Sequence, residues 1–555
     1  MPWTQNYAAL GGSIGLTALV VSLPIFFLLW ALAIKRMKGH IAGILTLLLT
    51  IVVVILVYRM PVTVALSASL YGIVNGIWPI AWIVVTAVFL YNLTVEAGQF
   101  DIIKSSISSI SDDRRLQALL VAFCFGAFLE GAAGFGAPVA ISASILIGLG
   151  FEPLYAAGIC LIANTAPVAF GAIGAPIITA GAVTGMSDFV ISQAIGRQLP
   201  FLSLLIPLYL VVLMSGWKAA KEVLPAAFVA GFSFAIAQWW SSNYLGAYLP
   251  DIISSLTSLV ALTLFLRYWK PKNIWRFPRE RDKKEEKATV RHNYSPGQIA
   301  KAWSPFVILT VMVALWGTPS FKAWATKAGL FVSIPHWPGL DGMVYKAAPI
   351  VPKPVLYAAS YKWDWFTAGG TAILIAAIIS MFVLGVKPSK ALEVFGKTLK
   401  QLTFSLVTIA AVLGFAYLAN YSGLSYTLGI LFASTGAVFP FLSPVLGWLG
   451  VFLTGSDTSA NALFGKLQQV TAEQIGVNPV LTVAANSSGG VVGKMISPQS
   501  IAVAAAATSL VGRESELLRY TLKHSLFLLL VVCIIVTLQA YVVPGMIPSL
   551  TAALH

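Results

Sequence analysis

The 555-residue chain reads as an all-α polytopic membrane protein with about 12–14 transmembrane segments, built as two related halves that each contain a broken helix or re-entrant hairpin. Three observations predict this. Its residues are 58% hydrophobic and only 10% charged, against roughly 25% charged in soluble domains. Apolar runs at 41–57, 201–214, 256–266 and 525–538 are too many and too long for the core of one soluble domain, although several reach spanning length only with their flanks. Finally, each half carries a polar interruption inside apolar sequence, from Glu130 to Pro167 and from Thr454 to Gly489. A bilayer penalises such stretches, so each needs a protein-lined or watery surround.

The first apolar segment, 14–34, has no basic region before it and Lys35, Arg36 and Lys38 directly after it. That order is the reverse of a cleaved signal peptide, so the segment is expected to remain as the first span. Three spans are expected before Asp101, the third kinked around Asn75, Trp78 and Pro79. The first interrupted region covers 116–182. Spans near 199–214, 223–240 and 252–266 complete an N-terminal membrane unit, 1–266. Ten Lys/Arg against four Asp/Glu between Arg267 and Arg291 mark 267–301 as a solvated basic linker. The C-terminal unit, 302–555, opens with a span at 305–316. A loop at 317–365, rich in Pro and Trp, then suits the outer bilayer interface, either roofing a transport mouth or lying there as structure. Spans at 368–384 and 402–419, an interrupted region at 443–507 and a last span at 525–543 follow.

The net charge of +15 does not indicate a nucleic-acid partner, because the basic residues fall in short strips between apolar segments. The strips at 35–38, 104–115, 218–221, 267–291, 387–400 and 513–524 all belong in the cytoplasm by the positive-inside rule. Both termini then lie outside and the number of crossings is even. Cys124, Cys160 and Cys533 sit in apolar sequence without metal-ligand spacing and read as packing residues, so no metal is expected. The five histidines fall in loops, strips or at the terminus, which argues against a buried histidine relay.

The two interrupted regions match in order. Gly126 to Gly131 aligns with Gly450 to Gly455, Asn164 with Asn486, Gly171 with Gly493 and Pro176 with Pro498. Single matches mean little, but the ordered set indicates duplication. Gly131, Gly134, Gly136, Pro138, Pro167, Gly171 and Pro176 in the first copy, and Gly489, Gly490, Gly493 and Pro498 in the second, are the expected helix-break or hairpin positions.

Two carboxylates interrupt these regions. Glu130 would cost several kcal/mol to hold ionised in a bilayer unless paired or hydrated, which makes it a proton-coupling candidate; the alternative is a paired glutamate that ties two helices together. Asp457 is the second candidate, against an ordinary role as a helix N-cap. Asn164, Thr165, Ser456, Asn486, Ser487 and Ser488 are the substrate-binding candidates. Amides, hydroxyls and free N–H groups at half-helix starts bind an organic anion without the desolvation cost of a fixed cation, although capping accounts for either motif alone. Lys494 has no opposite charge within ten residues in sequence, so it balances a substrate carboxylate, pairs with Asp457 or snorkels to the surface. Its Gly493-Lys494 dipeptide lacks the pattern of a phosphate loop. Arg197 reads as an interfacial arginine.

At Gly98-Gln99-Phe100-Asp101-Ile102-Ile103, at 125–138 (FGAFLEGAAGFGAP), at 447–458 (GWLGVFLTGSDT) and at 493–500 (GKMISPQS), and over nearly its full length, the chain resembles the bacterial L-lactate permease family. The resemblance implies import of L-lactate, with D-lactate and glycolate as related substrates, by proton symport across the bacterial cytoplasmic membrane. It also implies no cofactor beyond the proton as coupling ion. The family is grouped with ion transporters whose inverted repeats carry re-entrant hairpins with Asn-Ser/Thr tips; by that likeness Asn164-Thr165 and Asn486-Ser487 are the tips. Those transporters allow a homodimer, and the apolar pattern equally allows a monomer in membrane lipid. No cofactor motif or nucleophile–base pair supports an enzyme. An anion channel or uniporter for small monocarboxylates is the rival, because conduction also needs polar breaks in spans.

Overall fold

The computed structural model describes residues 2–134, 136–277 and 294–549. The middle of the expected linker, 278–293, and His292 and His555 lie outside them. The described chain is helical throughout apart from five short strands. Among the described residues ten helices are long and apolar enough to cross a membrane, and one further pair, Pro153–Ala163 and Val168–Thr184, is bent by 66° at its break. The expected count of segments drops because several apolar runs, such as Pro138–Gly148 and Leu424–Ala433, form helices of under 18 residues. Near the N-terminus the expected kink is present: regular helix stops at Asn75, Trp78 leaves helical geometry and Pro79 precedes the next helix, Trp82–Glu96.

The helices that build the centre are labelled here in chain order. In the first half they are α1 (Arg114–Ala132), α2 (Ala137–Gly148), α3 (Pro153–Ala163), α4 (Gly171–Thr184), α5 (Leu199–Ala220), α6 (Leu224–Tyr244) and α7 (Pro250–Tyr268). In the second they are α8 (Pro388–Ser422), α9 (Phe439–Thr454), α10 (Asp457–Ile475), α11 (Pro479–Lys494), α12 (Pro498–Ala507) and α13 (Glu514–Tyr541).

Both interrupted regions run helix, break, helix, turn, helix, break, helix. Gly134 and Gly136 take left-handed φ of 59° and 85° to end α1 and start α2, a conformation glycine adopts without steric cost. Gly455 (φ 71°) ends α9 in the same way, and Ser456 caps α10 by accepting the Ser459 N–H at 3.3 Å. The second break of the first half runs from Asn164 to Gly174, and Ala172 and Ile173 are held at φ 44° and 55°. Its counterpart is the short gap between Lys494 and Pro498, where Ser497 caps α12.

Three expected break residues need correction. Gly489, Gly490 and Gly493 lie inside continuous α11, and so do Asn486 and Ser487, which are therefore not a hairpin tip. The glycines serve close packing instead. A Cβ at Gly489 would stand 2.0 Å from the Pro444 carbonyl oxygen, and one at Gly493 2.4 Å from that of Trp448. Small residues let two membrane helices approach backbone to backbone, so this glycine face fits α11 against α9.

The 317–365 loop is an ordered cap. Val344–Lys346 pairs in parallel with the N-terminal strand Trp3–Thr4 and antiparallel with Val355–Leu356, while Val332–Ile334 pairs with Tyr361–Trp363. The N-terminus and the loop thus share one face. Asp341 holds the loop's centre: its carboxylate accepts the Ala359 N–H at 2.7 Å and lies 2.7 Å from His336 Nδ1. These bonds keep Asp341 below the usual carboxylate range. A depressed carboxyl adds stability above its unfolded value of about 3.9 and loses it as pH falls through the lower folded value. Limited proteolysis of the loop is therefore expected to accelerate below about pH 4, and Asp341→Asn is expected to be nicked faster already at neutral pH.

At the foot of α1, Asp113 and Arg115 form a fully buried pair at 2.6 Å. Arg115 also donates to the carbonyls of Ala219 (2.6 Å) and Asn273 (3.0 Å), and Asp113 accepts the Trp275 N–H at 3.0 Å. Most of the described start of the linker is exposed, and it is anchored to the core where Trp275 packs on Phe277 and Phe277 on Phe151. Removing one partner from a buried pair leaves the other charge uncompensated, at a cost of about 3–5 kcal/mol. Arg115→Ala is expected to lower the melting temperature in detergent sharply, with Arg115→Ala/Asp113→Ala less affected than the single variant.

Candidate functional site

The breaks of both halves meet at a cavity of about 190 Å³. From the first half its wall includes Glu130, Gly134, Gly136, Gly171 and Pro176; from the second, Ser456, Asp457, Thr458, Lys494, Gln499 and Ser500. Ser405 of α8 contributes as well. The wall therefore contains the first turns of α10 and α12 and the N-cap of α2. The N-terminal ends of three helices thus border the cavity, and a helix N-terminus is worth about 0.3–1 kcal/mol toward an anion.

Charge enters through one pair. Lys494 Nζ lies 2.5 Å from Glu130 Oε1, and Glu130 Oε2 accepts Asn164 Nδ2 at 2.9 Å. Lys494 thus joins the halves through Glu130 and not through Asp457, the partner in one of its three expected roles. The pair needs Gly171, because a Cβ there would stand 2.7 Å from Glu130 Oε1. The second carboxylate has a matching arrangement. Asp457 Oδ2 accepts Ser487 Oγ at 2.6 Å, and a Cβ at Gly490 would stand 2.3 Å from Oδ1, which is buried and has no hydrogen-bond partner.

Behind this wall lies a polar layer. Asn461 Nδ2 donates to Ser487 Oγ (2.7 Å) and to the Pro176 carbonyl (3.0 Å), while Asn486 donates to Asn461 Oδ1 (2.9 Å) and accepts from Gln468 (3.1 Å). Asn164 and Ser487 therefore touch the two cavity carboxylates, whereas Asn486 stands one step further back. Ser488 faces away and donates to Gln198 at 2.7 Å. Thr165 is buried with its hydroxyl unpartnered and does not belong to the cavity wall. Arg197 is held by Asn243 (2.8 Å) and the Met546 carbonyl (2.9 Å) outside the cavity, as an interfacial residue.

Sequence reasoning missed Gln499, Ser500, Thr458 and Asn461, although the first three follow directly from the caps at Ser456 and Ser497. It also placed His524 in a surface strip. His524 is buried in α13 against Tyr209, because this helix begins at Glu514 and carries the basic strip within its length. Among the described residues no cluster of His, Cys, Asp and Glu has the makings of a metal site.

A polar cavity where broken helices meet, in a chain with helices long and apolar enough to cross a membrane, is the arrangement of a transport protein. The L-lactate permease family model matches residues 17–543, and the chain belongs to that family. It is 57% identical to the glycolate permease GlcA of Escherichia coli K12, over 99% of this chain and all of that protein. L-lactate permeases of Salmonella typhimurium and Bacillus subtilis are each 56% identical, over 98% and 99% of this chain and the whole of theirs. Among solved structures, MtrF of Neisseria gonorrhoeae overlaps 84% of this chain and 83% of its own at a TM-score of 0.44 and 14% identity, too loosely to inform the architecture.

Proposed function

We propose that the protein imports L-lactate, D-lactate and glycolate by proton symport through the cavity between its two halves, in the bacterial cytoplasmic membrane with both termini outside. The observation that carries this reading is the Lys494–Glu130 pair in the cavity wall. A cation already engaged by a carboxylate accepts a substrate carboxylate only when the first is neutralised. Protonation of Glu130 releases Lys494, the arriving 2-hydroxy acid takes its place, and the helix N-termini hold the remaining negative charge. One proton and one monoanion then cross together without net charge. Asp457, whose residue is part of the cavity wall, stands as the second proton-coupling candidate.

The matching order of helices and breaks supports two inverted repeats, 1–266 and 302–555, joined by the basic linker. Both halves of the chain contribute to the cavity wall, which supports a transport path within each protomer of a monomer or a homodimer alike. Proteoliposomes decide the function. With an inward proton gradient, labelled L-lactate should accumulate above its outside concentration, and D-lactate and glycolate should compete with it. Equilibration without accumulation would make the protein a channel or uniporter.

A further inference from the structure

One buried carboxyl in the centre of the molecule is unused by the mechanism above. Asp251 opens α7 directly after Pro250, a position where aspartate ordinarily caps the helix or faces water. Here it does neither. Its residue is 1% exposed, and both Oδ1 and Oδ2 are without a hydrogen-bond partner among the described residues. Such a group in a membrane interior is costly and needs a reason. Its backbone neighbour supplies one. A Cβ on Gly131 would stand 2.6 Å from Asp251 Cβ, so Asp251 rests on the glycine next to Glu130. The charged groups that act on it are Glu130 of α1 and Lys494 of α11. Cys124, which also faces α7, is bonded to Ser258 at 3.2 Å, and α6 presents no acidic or basic side chain. Two carboxyl-bearing residues thus belong to one helix contact, Glu130 paired with Lys494 and Asn164 and Asp251 without a partner among the described residues.

We propose that Asp251 is a proton-relay residue that rests protonated and hands its proton to Glu130. In the step, the Asp251 O–H bond breaks and its electron pair stays on Asp251 as carboxylate. The proton passes through an intervening water to Glu130 Oε1, the ion pair to Lys494 opens, and a hydronium ion from the proton-rich side reprotonates Asp251 and is left as water. The neutral acid explains why no cation accompanies Asp251, and the first turn of α7 helps hold the transient anion. Gly131 is part of the device, because any side chain there would separate the two carboxyls.

This inference rests on the symport reading, and wild type serves as its control. If wild type does not accumulate lactate under a proton gradient, that reading falls by itself. If it does, Asp251→Asn is expected to slow the initial rate of gradient-driven uptake at least tenfold. Lactate/lactate exchange, which needs no net proton release, should stay within about twofold, and the final accumulation ratio should be unchanged. Asp251→Glu should recover driven uptake. A relay that carries no structural bond also predicts that Asp251→Ala melts no lower than wild type in detergent, since it removes an unpaired polar group. Driven uptake at the wild-type rate in Asp251→Asn would overturn the relay. So would exchange falling in step with driven uptake, or a markedly lower melting temperature for Asp251→Ala, either of which makes the residue a packing element.

Discussion

Lys494→Met is expected to abolish detectable lactate import and to remove the stabilisation that lactate gives the purified protein on heating. Lys494 is the basic side chain in the cavity wall, and its ammonium is already placed for a carboxylate by its 2.5 Å contact with Glu130. Truncating one partner of a buried, hydrogen-bonded charge pair costs about 2–5 kcal/mol, roughly thirtyfold to several-thousandfold in affinity. Helix N-termini remain in the variant, but each offers only about 0.3–1 kcal/mol, too little to replace a full charge. The variant also leaves Glu130 with Asn164 as its one hydrogen-bond partner among the described residues and without a cation. Glu130→Gln/Lys494→Met should therefore be as stable as Lys494→Met alone and no less active. Lactate affinity unchanged in Lys494→Met would sink the proposed carboxylate contact.

The parts of this site that were legible beforehand are those encoded locally. Glycines in left-handed turns, prolines at helix starts and lone carboxylates in apolar sequence mark the breaks at Gly134, Gly136 and Gly455 from a few residues each. What escaped depends on contacts across hundreds of residues. Lys494 and Glu130 are 364 positions apart, and nothing near either names the other. Asp457, closer in sequence to Lys494, is the partner in one of that lysine's three expected roles, but its Oδ2 accepts from Ser487 of α11 instead. Asn486-Ser487 is a hairpin tip only by the likeness to transporters with Asn-Ser/Thr tips, and Gly489 and Gly490 after it fit that expectation. Glycine serves two purposes in membranes, turning a chain and letting helices touch, and only the Pro444 carbonyl against Gly489 reveals which applies. Asp251 was invisible for the opposite reason: Pro-Asp at a helix start is so ordinary on a surface that its complete burial could not be read from the residues around it.

Glu130→Gln is the second large effect and separates binding from coupling. Glutamine keeps the size of the side chain and can still accept from Asn164, but it neither attracts Lys494 as a full charge nor takes up a proton. Lys494 then meets the substrate without first losing a competitor. Lactate affinity in the variant is expected to become independent of pH over the range where wild type loses it as protons are withdrawn. Lactate/lactate exchange should continue within about threefold of wild type, since truncating an electrostatic competitor costs the substrate nothing it needs. Accumulation driven by a proton gradient should fall at least tenfold and no longer scale with the size of the gradient. That last property distinguishes the residue from Asp251, whose loss is expected to slow the approach to the same final ratio. The physical ground for the difference is position. Glu130 shares the cation with the substrate, so its charge state enters the equilibrium; Asp251 touches neither, and changes only how fast the proton arrives. If Glu130→Gln still accumulates lactate in proportion to the proton gradient, the coupling carboxyl is Asp457, and Asp457→Asn should then show the loss of gradient dependence predicted here.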